Sequence, residues 1–124
     1  MDLVEILKRP EGKTLEFKRD LSSPDGALKT IVAFANTAGG TLLIGVEDRS
    51  RHVRGVPEPL DLEERLANLV SDRISPRLVP EIEILPWRCR LSKLLVRKSR
   101  LHAKVDTAWP PNSRLQRTAL ARRR

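Results

Sequence analysis

Three carboxylates are spaced so that a fold could bring them to one place. Glu11 and Glu16 lie five residues apart around the start of a predicted strand, and Asp48 directly follows another predicted strand. Hard divalent ions such as Mg²⁺ and Mn²⁺ prefer oxygen ligands, which carboxylates supply. A metal so held would polarise a phosphoryl oxygen and lower the pKa of an attacking water. The three acids are therefore candidate metal ligands and catalytic residues, and ordinary acids meeting water at strand ends are the alternative.

Basic residues accompany these acids. Strand alternation puts Lys18 on the same face as Glu16, where it could steady a phosphate. A loop after the second strand carries Arg49, Arg51 and Arg54, which are candidates for contacts with nucleic-acid phosphates. A solvated hairpin loop is the alternative. The chain has only two Phe, two Trp and no Tyr, so a base-stacking platform is poorly supplied.

The stretch from residue 28 to residue 48, LKTIVAFANTAGGTLLIGVED, organises the predicted fold. Its apolar residues recur at helical spacing up to Ala38, and Gly39 and Gly40 then end the helix. The apolar run over 41–46 predicts a strand covered on both faces. The glycines follow a helix instead of preceding one, and neither GxxxxGK[ST] nor GxGxxG occurs, so the sequence argues against a phosphate loop and against ATP as a cofactor.

Hydrophobic periodicity and turn residues predict the other elements. They are a helix over 3–8, a strand over 15–19, a helix from Ser23 and Pro24, a helix from Asp61 to about residue 74, and a strand over 81–85. The predicted fold class is α+β: a single small domain with a mixed sheet of about three to four strands, packed by two main helices and a short N-terminal helix.

Charge is distributed unevenly along the chain. Residues 1–85 contain 12 basic and 15 acidic residues, whereas residues 86–124 contain 12 basic residues and one acid. This shift predicts a domain over 1–90 and a basic, weakly folded tail over 91–124, with residues from about 97 onward not packed on the domain. Within that tail, Leu91, Leu94, Leu95 and Val96 could form one more strand or helical turn.

Cysteine usage and hydropathy bear on localisation. Cys89 is the only cysteine, so no intrachain disulfide can form, which fits a reducing compartment. No secretory signal and no apolar run of membrane-spanning length is found. We expect a cytoplasmic protein that does not contact a membrane. The sequence leaves the oligomeric state open, and a homo-oligomer is one alternative.

Several segments together resemble the Schlafen-type AlbA-like domain, long described as a divergent AAA or DNA-binding domain. They are LEFKRD at 15–20, the stretch at 28–48 and RGV at 54–56. The resemblance covers about residues 1–87. It implies an α/β domain and a nucleic-acid-binding regulatory module acting on DNA or RNA.

The resemblance also implies two alternatives to simple binding. Nuclease-active Schlafen proteins cleave structured RNA with a divalent metal held by a Glu-x4-Glu pair and a downstream Asp, which Glu11, Glu16 and Asp48 match. A metal-dependent endoribonuclease using Mg²⁺ or Mn²⁺ is therefore one alternative, and an ATP-binding transcriptional regulator is the other. After Trp87 the sequence departs from the family pattern, which predicts a truncated or frame-shifted C-terminus.

Overall fold

The computed structural model describes residues 3–86 and 90–105. Its helices and strands have these bounds: α1 Leu3–Lys8, β1 Leu15–Lys18, α2 Pro24–Ala35, β2 Gly40–Ile44, α3 Pro59–Arg73, β3 Ile74–Ser75, β4 Glu81–Pro86, β5 Arg90–Val96 and β6 Lys104–Val105. The predicted α+β class, the mixed sheet and the three helices are confirmed. Within the described ranges, no helix is long and apolar enough to cross a membrane.

Four strands form the main sheet in the order β1-β2-β5-β4. β1 runs parallel to β2, with Glu16 opposite Leu42, whereas β5 is antiparallel to both of its neighbours. The parallel pair follows from the helical crossover through α2, because parallel strands need such a connection. The ends of β1 and β2 therefore lie at the same edge of the sheet.

Helices pack on both faces of this sheet. One face carries Leu42 and Ile44 of β2 and packs against α2 and α3. The other face carries Phe17 and Leu43 and packs against α1 through Leu3 and Ile6, among other residues. Leu42, Leu43 and Ile44 of β2 are fully buried, as the apolar run predicts.

The predicted start of the weakly folded tail at residue 91 is wrong. β5 lies inside the sheet, and Leu91 and Leu94 are fully buried. Of the two alternatives left open for residues 91–96, the strand is the one that forms, and Lys93 is accommodated there beside Glu83 at 3.8 Å. A domain ending near residue 90 would lack a central strand.

The expectation that residues from about 97 are not packed is also wrong as far as residue 105. The Ser99 amide donates to the carbonyl of Ala35 at 2.7 Å, and Ala103 is buried in the core. β6 pairs with β3, forming a second, two-stranded sheet that the sequence did not predict. Residues 106–124 and Trp87, on which the remaining tail predictions fall, lie outside the described residues.

The starts of α2 and α3 do not depend on a side-chain cap. Ser23 precedes α2 as expected, but its side chain makes no capping hydrogen bond. α3 begins at Pro59, with Glu58 as the preceding residue, so Asp61 lies in the first turn and is not the cap. Proline at the first helical position explains both starts, since its fixed φ is already helical.

Candidate functional site

A cleft of about 490 Å³ opens where β1 and β2 end. Ligands of open α/β sheets commonly bind beyond the carboxyl ends of parallel strands, so this edge is the first place to look for a site. Residues from two segments line the cleft: Phe17, Lys18, Arg19, Asp20, Ser22 and Ser23 after β1, and Glu47, Asp48, Arg49 and Ser50 after β2.

The backbone around Gly45 brings these two segments together. The amides of Gly45 and Val46 donate to the carbonyl of Lys18 at 2.8 and 3.2 Å, and the carbonyl of Gly45 accepts from the amides of Arg54 and Gly55. Gly45 has φ +113°, and a Cβ there would lie 2.5 Å from Leu91 Cδ2. Only glycine fits this turn, which explains the Gly in the IGV motif.

The cleft is lined by equal numbers of cationic and acidic side chains. Lys18, Arg19 and Arg49 supply the positive charge, and the acids are Asp20, Glu47 and Asp48. Arg19 pairs with Asp20 at 3.3 Å. The side chains of Arg19 and Asp20 are 56% and 50% exposed, so the pair is weak and a competing anion can displace it.

Asp20 is fixed by the neighbouring serine. Its Oδ1 accepts hydrogen bonds from the Ser22 hydroxyl at 2.6 Å and from the Ser22 amide at 3.0 Å. These bonds, with a smaller contribution from Arg19, lower the pKa of Asp20 below its ordinary value. The carboxylate is therefore ionised and oriented when the cleft is empty of ligand.

Glu16 lies within β1, and Glu11 precedes this strand and contacts it through its side chain. Glu11 Oε2 accepts a hydrogen bond from the Phe17 amide at 3.1 Å, on the open side of this edge strand. Glu16 Oε2 accepts from the Thr30 hydroxyl of α2 at 2.9 Å, and its other oxygen lies 3.8 Å from Lys18 Nζ. Both carboxylates are thus held beside the same stretch of β1, and Lys18 faces Glu16 as predicted.

Asp48 follows β2, whereas Glu11 lies before β1 and Glu16 lies within it. Glu11 and Glu16 do not line the cleft, whereas Asp48 does. Among residues 3–86 and 90–105, no three His, Cys, Asp or Glu side chains are grouped so that they could hold a metal ion. The donor types of the three acids suit Mg²⁺ or Mn²⁺, but their arrangement here does not fit a metal, and their catalytic and metal-binding roles stay predictions.

The three arginines of the predicted basic loop have different environments. The Arg51 guanidinium donates to the carbonyls of Leu7 and Arg9 at the end of α1 and lies 4.4 Å from the centre of the Phe17 ring. Arg54 pairs with Glu47 at 3.0 Å. Arg49 is exposed and lines the cleft. Of the loop arginines, Arg49 is the best placed to reach a phosphate, and Arg51 instead holds α1 against the loop.

Sequence reasoning did not assign six polar residues of the cleft to a site: Arg19, Asp20, Ser22, Ser23, Glu47 and Ser50. The signal was available, because a strand, a helix and a second strand in succession predict a parallel pair. The segments that follow the two strands must then meet at one edge. The motif LEFKRD already contained Arg19 and Asp20, but only its Glu and Lys were assigned roles.

The paired glycines Gly39 and Gly40 belong to the connection between α2 and β2. They follow α2, where the Gly39 amide donates to the Phe34 carbonyl at 2.8 Å. A Cβ at Gly40 would lie 2.5 Å from the Phe34 ring, and one at Gly39 would lie 2.7 Å from the Val96 carbonyl. Close packing at the exit of α2 accounts for both positions.

The fold is similar to two solved structures. One is the N-terminal domain of a RecG-related protein from Nitrosomonas europaea, with a TM-score of 0.73 and 21% identity, covering 91% of this chain and 86% of that one. The other is the DIP2311 protein from Corynebacterium diphtheriae, with a TM-score of 0.55 and 20% identity. That match covers 75% of this chain but only 22% of the longer protein.

A family model described as Schlafen, AlbA_2 matches residues 11–116. The match includes LEFKRD, the stretch over 28–48 and all of β5, so it extends well beyond residue 87, where the resemblance was expected to end. It also includes the segment over 97–105 that packs on α2. The chain therefore belongs to the Schlafen AlbA_2 family.

Proposed function

We propose that this chain is a nucleic-acid-binding module of a regulatory protein, which contacts the phosphate backbone of DNA or RNA at the cleft beyond β1 and β2. The observation that carries the proposal is the convergence of Lys18, Arg19 and Arg49 at this edge. Family membership supports a role with nucleic acids, and so does the name of the structural neighbour, which describes it as related to the DNA helicase RecG.

The start of α2 adds to the attraction for phosphate. Ser23, the residue before this 12-residue helix, lines the cleft, so the positive end of the helix dipole faces the same space. A phosphate there would compete with Asp20 for Arg19. Because three acids share the cleft with three cations, we expect modest affinity that falls steeply as salt rises.

The test uses the full chain, because removing residues beyond 90 would remove β5. Fluorescence anisotropy would measure the affinity for a short labelled oligonucleotide at several salt concentrations. Arg19→Ala and Arg49→Ala should each reduce the slope of log affinity against log salt by about one, since each removes one phosphate contact. Arg77→Ala is the matched control, because Arg77 is exposed and lies outside the cleft.

The comparison between variants also removes the effect of the basic C-terminus. Residues 86–124 carry 12 basic residues and one acid and would bind any polyanion. That contribution is the same in all three variants. If Arg49→Ala lowers the slope by the same amount as Arg77→Ala, the cleft is not the binding site.

A metal-dependent endoribonuclease is the second candidate. The spacing of Glu11, Glu16 and Asp48, which matches the acids of nuclease-active Schlafen proteins, is what motivates this candidate, and their arrangement among the described residues does not add to it. Structured RNA would be incubated with Mn²⁺ and either the wild type or Glu16→Ala. Cleavage that is lost in the variant would support an enzyme, and equal cleavage by both would exclude Glu16 from catalysis and point to a contaminating nuclease.

Three further expectations stay predictions: ATP binding, a homo-oligomer and a cytoplasmic location. ATP binding, which the family's older description suggests, would raise the melting temperature of the chain when ATP and Mg²⁺ are added. An unchanged melting temperature would argue against it.

A further inference from the structure

A second cleft, of about 480 Å³, adjoins the first one. The two clefts share Arg19, Asp20 and Ser22, which form the wall between them. The second cleft is completed by three segments: Leu21, the turn Gly55, Val56, Pro57 and Glu58, and the α3 residues Asp61, Leu62 and Arg65. A ligand bound in one cleft therefore lies directly beside the other.

The second cleft differs chemically from the first. Apolar side chains form much of it, namely Leu21, which is 3% exposed, and the half-buried Val56 and Leu62. The charged residues Glu58, Asp61 and Arg65 lie at exposed positions around it. An apolar floor with a few polar groups at its edge is typical of sites for flat organic groups, whereas the first cleft offers charges and hydroxyls.

We infer that the second cleft binds an unpaired nucleobase whose own backbone phosphate is held in the first cleft. The inference rests on the proposed function and names its substrate class as single-stranded nucleic acid. The sugar keeps a base and its phosphate a fixed short distance apart, so they need two adjoining sites of opposite character. Arg19 faces both sites and can hold the junction between them.

The polar rim complements the edges of a base. Asp61 and Arg65 are four residues apart on α3 and so lie on the same side of the helix. Glu58 is close enough to Asp61 that the hydrogen bond and the repulsion between these carboxyls raise the pKa of Glu58. Carboxylates accept hydrogen bonds from base N–H groups, and an arginine donates to base carbonyl and ring nitrogen atoms. A base paired within a duplex would present neither its face nor its full edge to this cleft.

The experiment compares three probes on the full chain at one salt concentration: a short single-stranded DNA, the same backbone with abasic sites, and the duplex. The wild type should bind the base-containing strand at least about fivefold more tightly than the abasic strand, because a base held against Leu21, Val56 and Leu62 removes apolar surface from water. Arg65→Ala and Asp61→Asn should abolish most of that preference and leave the abasic affinity within about twofold.

The two proposals fail in different ways. If the wild type binds base-containing and abasic strands equally, or if Arg65→Ala weakens both equally, the nucleobase site is wrong and Arg65 is only a phosphate contact. Arg49 lines only the first cleft. If Arg49→Ala changes neither affinity relative to Arg77→Ala, the proposed function itself is wrong. Melting temperatures of Arg65→Ala and Asp61→Asn equal to that of the wild type would show that both variants are folded.

Discussion

Asn36 at the end of α2 is predicted to hold the segment after β5 against the domain. Its side-chain nitrogen donates to the carbonyl of Ala103 at 2.9 Å, and its side-chain oxygen accepts from the amide of Ala103 at 2.7 Å. Ala103 is 1% exposed, so water does not reach the residue. The amide side chain thus pairs with the backbone as a neighbouring strand would.

The cost of Asn36→Ala follows from these two bonds. A hydrogen bond contributes about 1 kcal/mol net, and a buried backbone group left without a partner costs about 1–3 kcal/mol. Since the variant removes both bonds at Ala103, we expect it to lower the free energy of unfolding by about 2–4 kcal/mol. Asn36→Asp keeps the acceptor but places a carboxylate oxygen against the carbonyl of Ala103, so it should also destabilise the fold.

Urea unfolding of the full chain would measure the stability change, and amide exchange would report on Ala103 directly. Trypsin adds a local test, because Arg97, Lys98, Arg100 and Lys104 are its sites in this segment. Cleavage there should be slow in the wild type and fast in Asn36→Ala. Thr37→Ala is the control, since the exposed Thr37 hydroxyl bonds only within its own helix end. A loss below about 0.5 kcal/mol, with Ala103 exchange and trypsin cleavage unchanged, would refute the role of Asn36.

Three further predictions concern the surroundings of the cleft. Gly45→Ala should destabilise the fold by at least about 1–3 kcal/mol in urea unfolding, because of backbone strain at φ +113° and the clash with Leu91. Ser22→Ala should raise the pKa of Asp20 in a carboxyl NMR titration. The stability that Ser22 provides through Asp20 should be present above the ordinary pKa of 3.8 and vanish as the pH falls through the lowered folded-state pKa. Arg51→Ala should cost about 1–3 kcal/mol of stability and leave oligonucleotide affinity close to that of the Arg77→Ala control.

Much of the fold was predictable because its main elements bury regular apolar patterns. The helical spacing from residue 28 predicts a helix with one buried face, and the apolar run after Gly40 predicts a buried strand. The structure has α2 and β2 at these places. β5 was harder, since Lys93 and Ser92 interrupt its apolar residues. Ser92 is nevertheless buried in the middle of the sheet, and its hydroxyl has no partner among the described residues. Strand pairing on both sides, a tertiary effect, overrides the local pattern there.

The site was less predictable for a related reason. Types and spacing identified Glu16, Lys18, Asp48 and Arg49 as polar groups near strand ends, and the structure places the last three around one cleft. The role of Arg51 depends on where α1 packs and on its positive φ of 60°, neither of which a local pattern contains. Identical residue types in one loop therefore have different partners.

The residues that identify the family mostly explain the fold and not the chemistry. Asn36 pairs with a later backbone segment, Gly39 and Gly40 admit close neighbours, and Gly45 allows the turn after β2. Each of these contacts is internal, so a chain could keep the whole motif and lose every ligand. What distinguishes members in function should then lie in the segments that the motif positions, here residues 19–23 and 47–50 and the start of α3. Variants in those segments can therefore test the proposed phosphate binding and the proposed base binding separately while the fold stays intact.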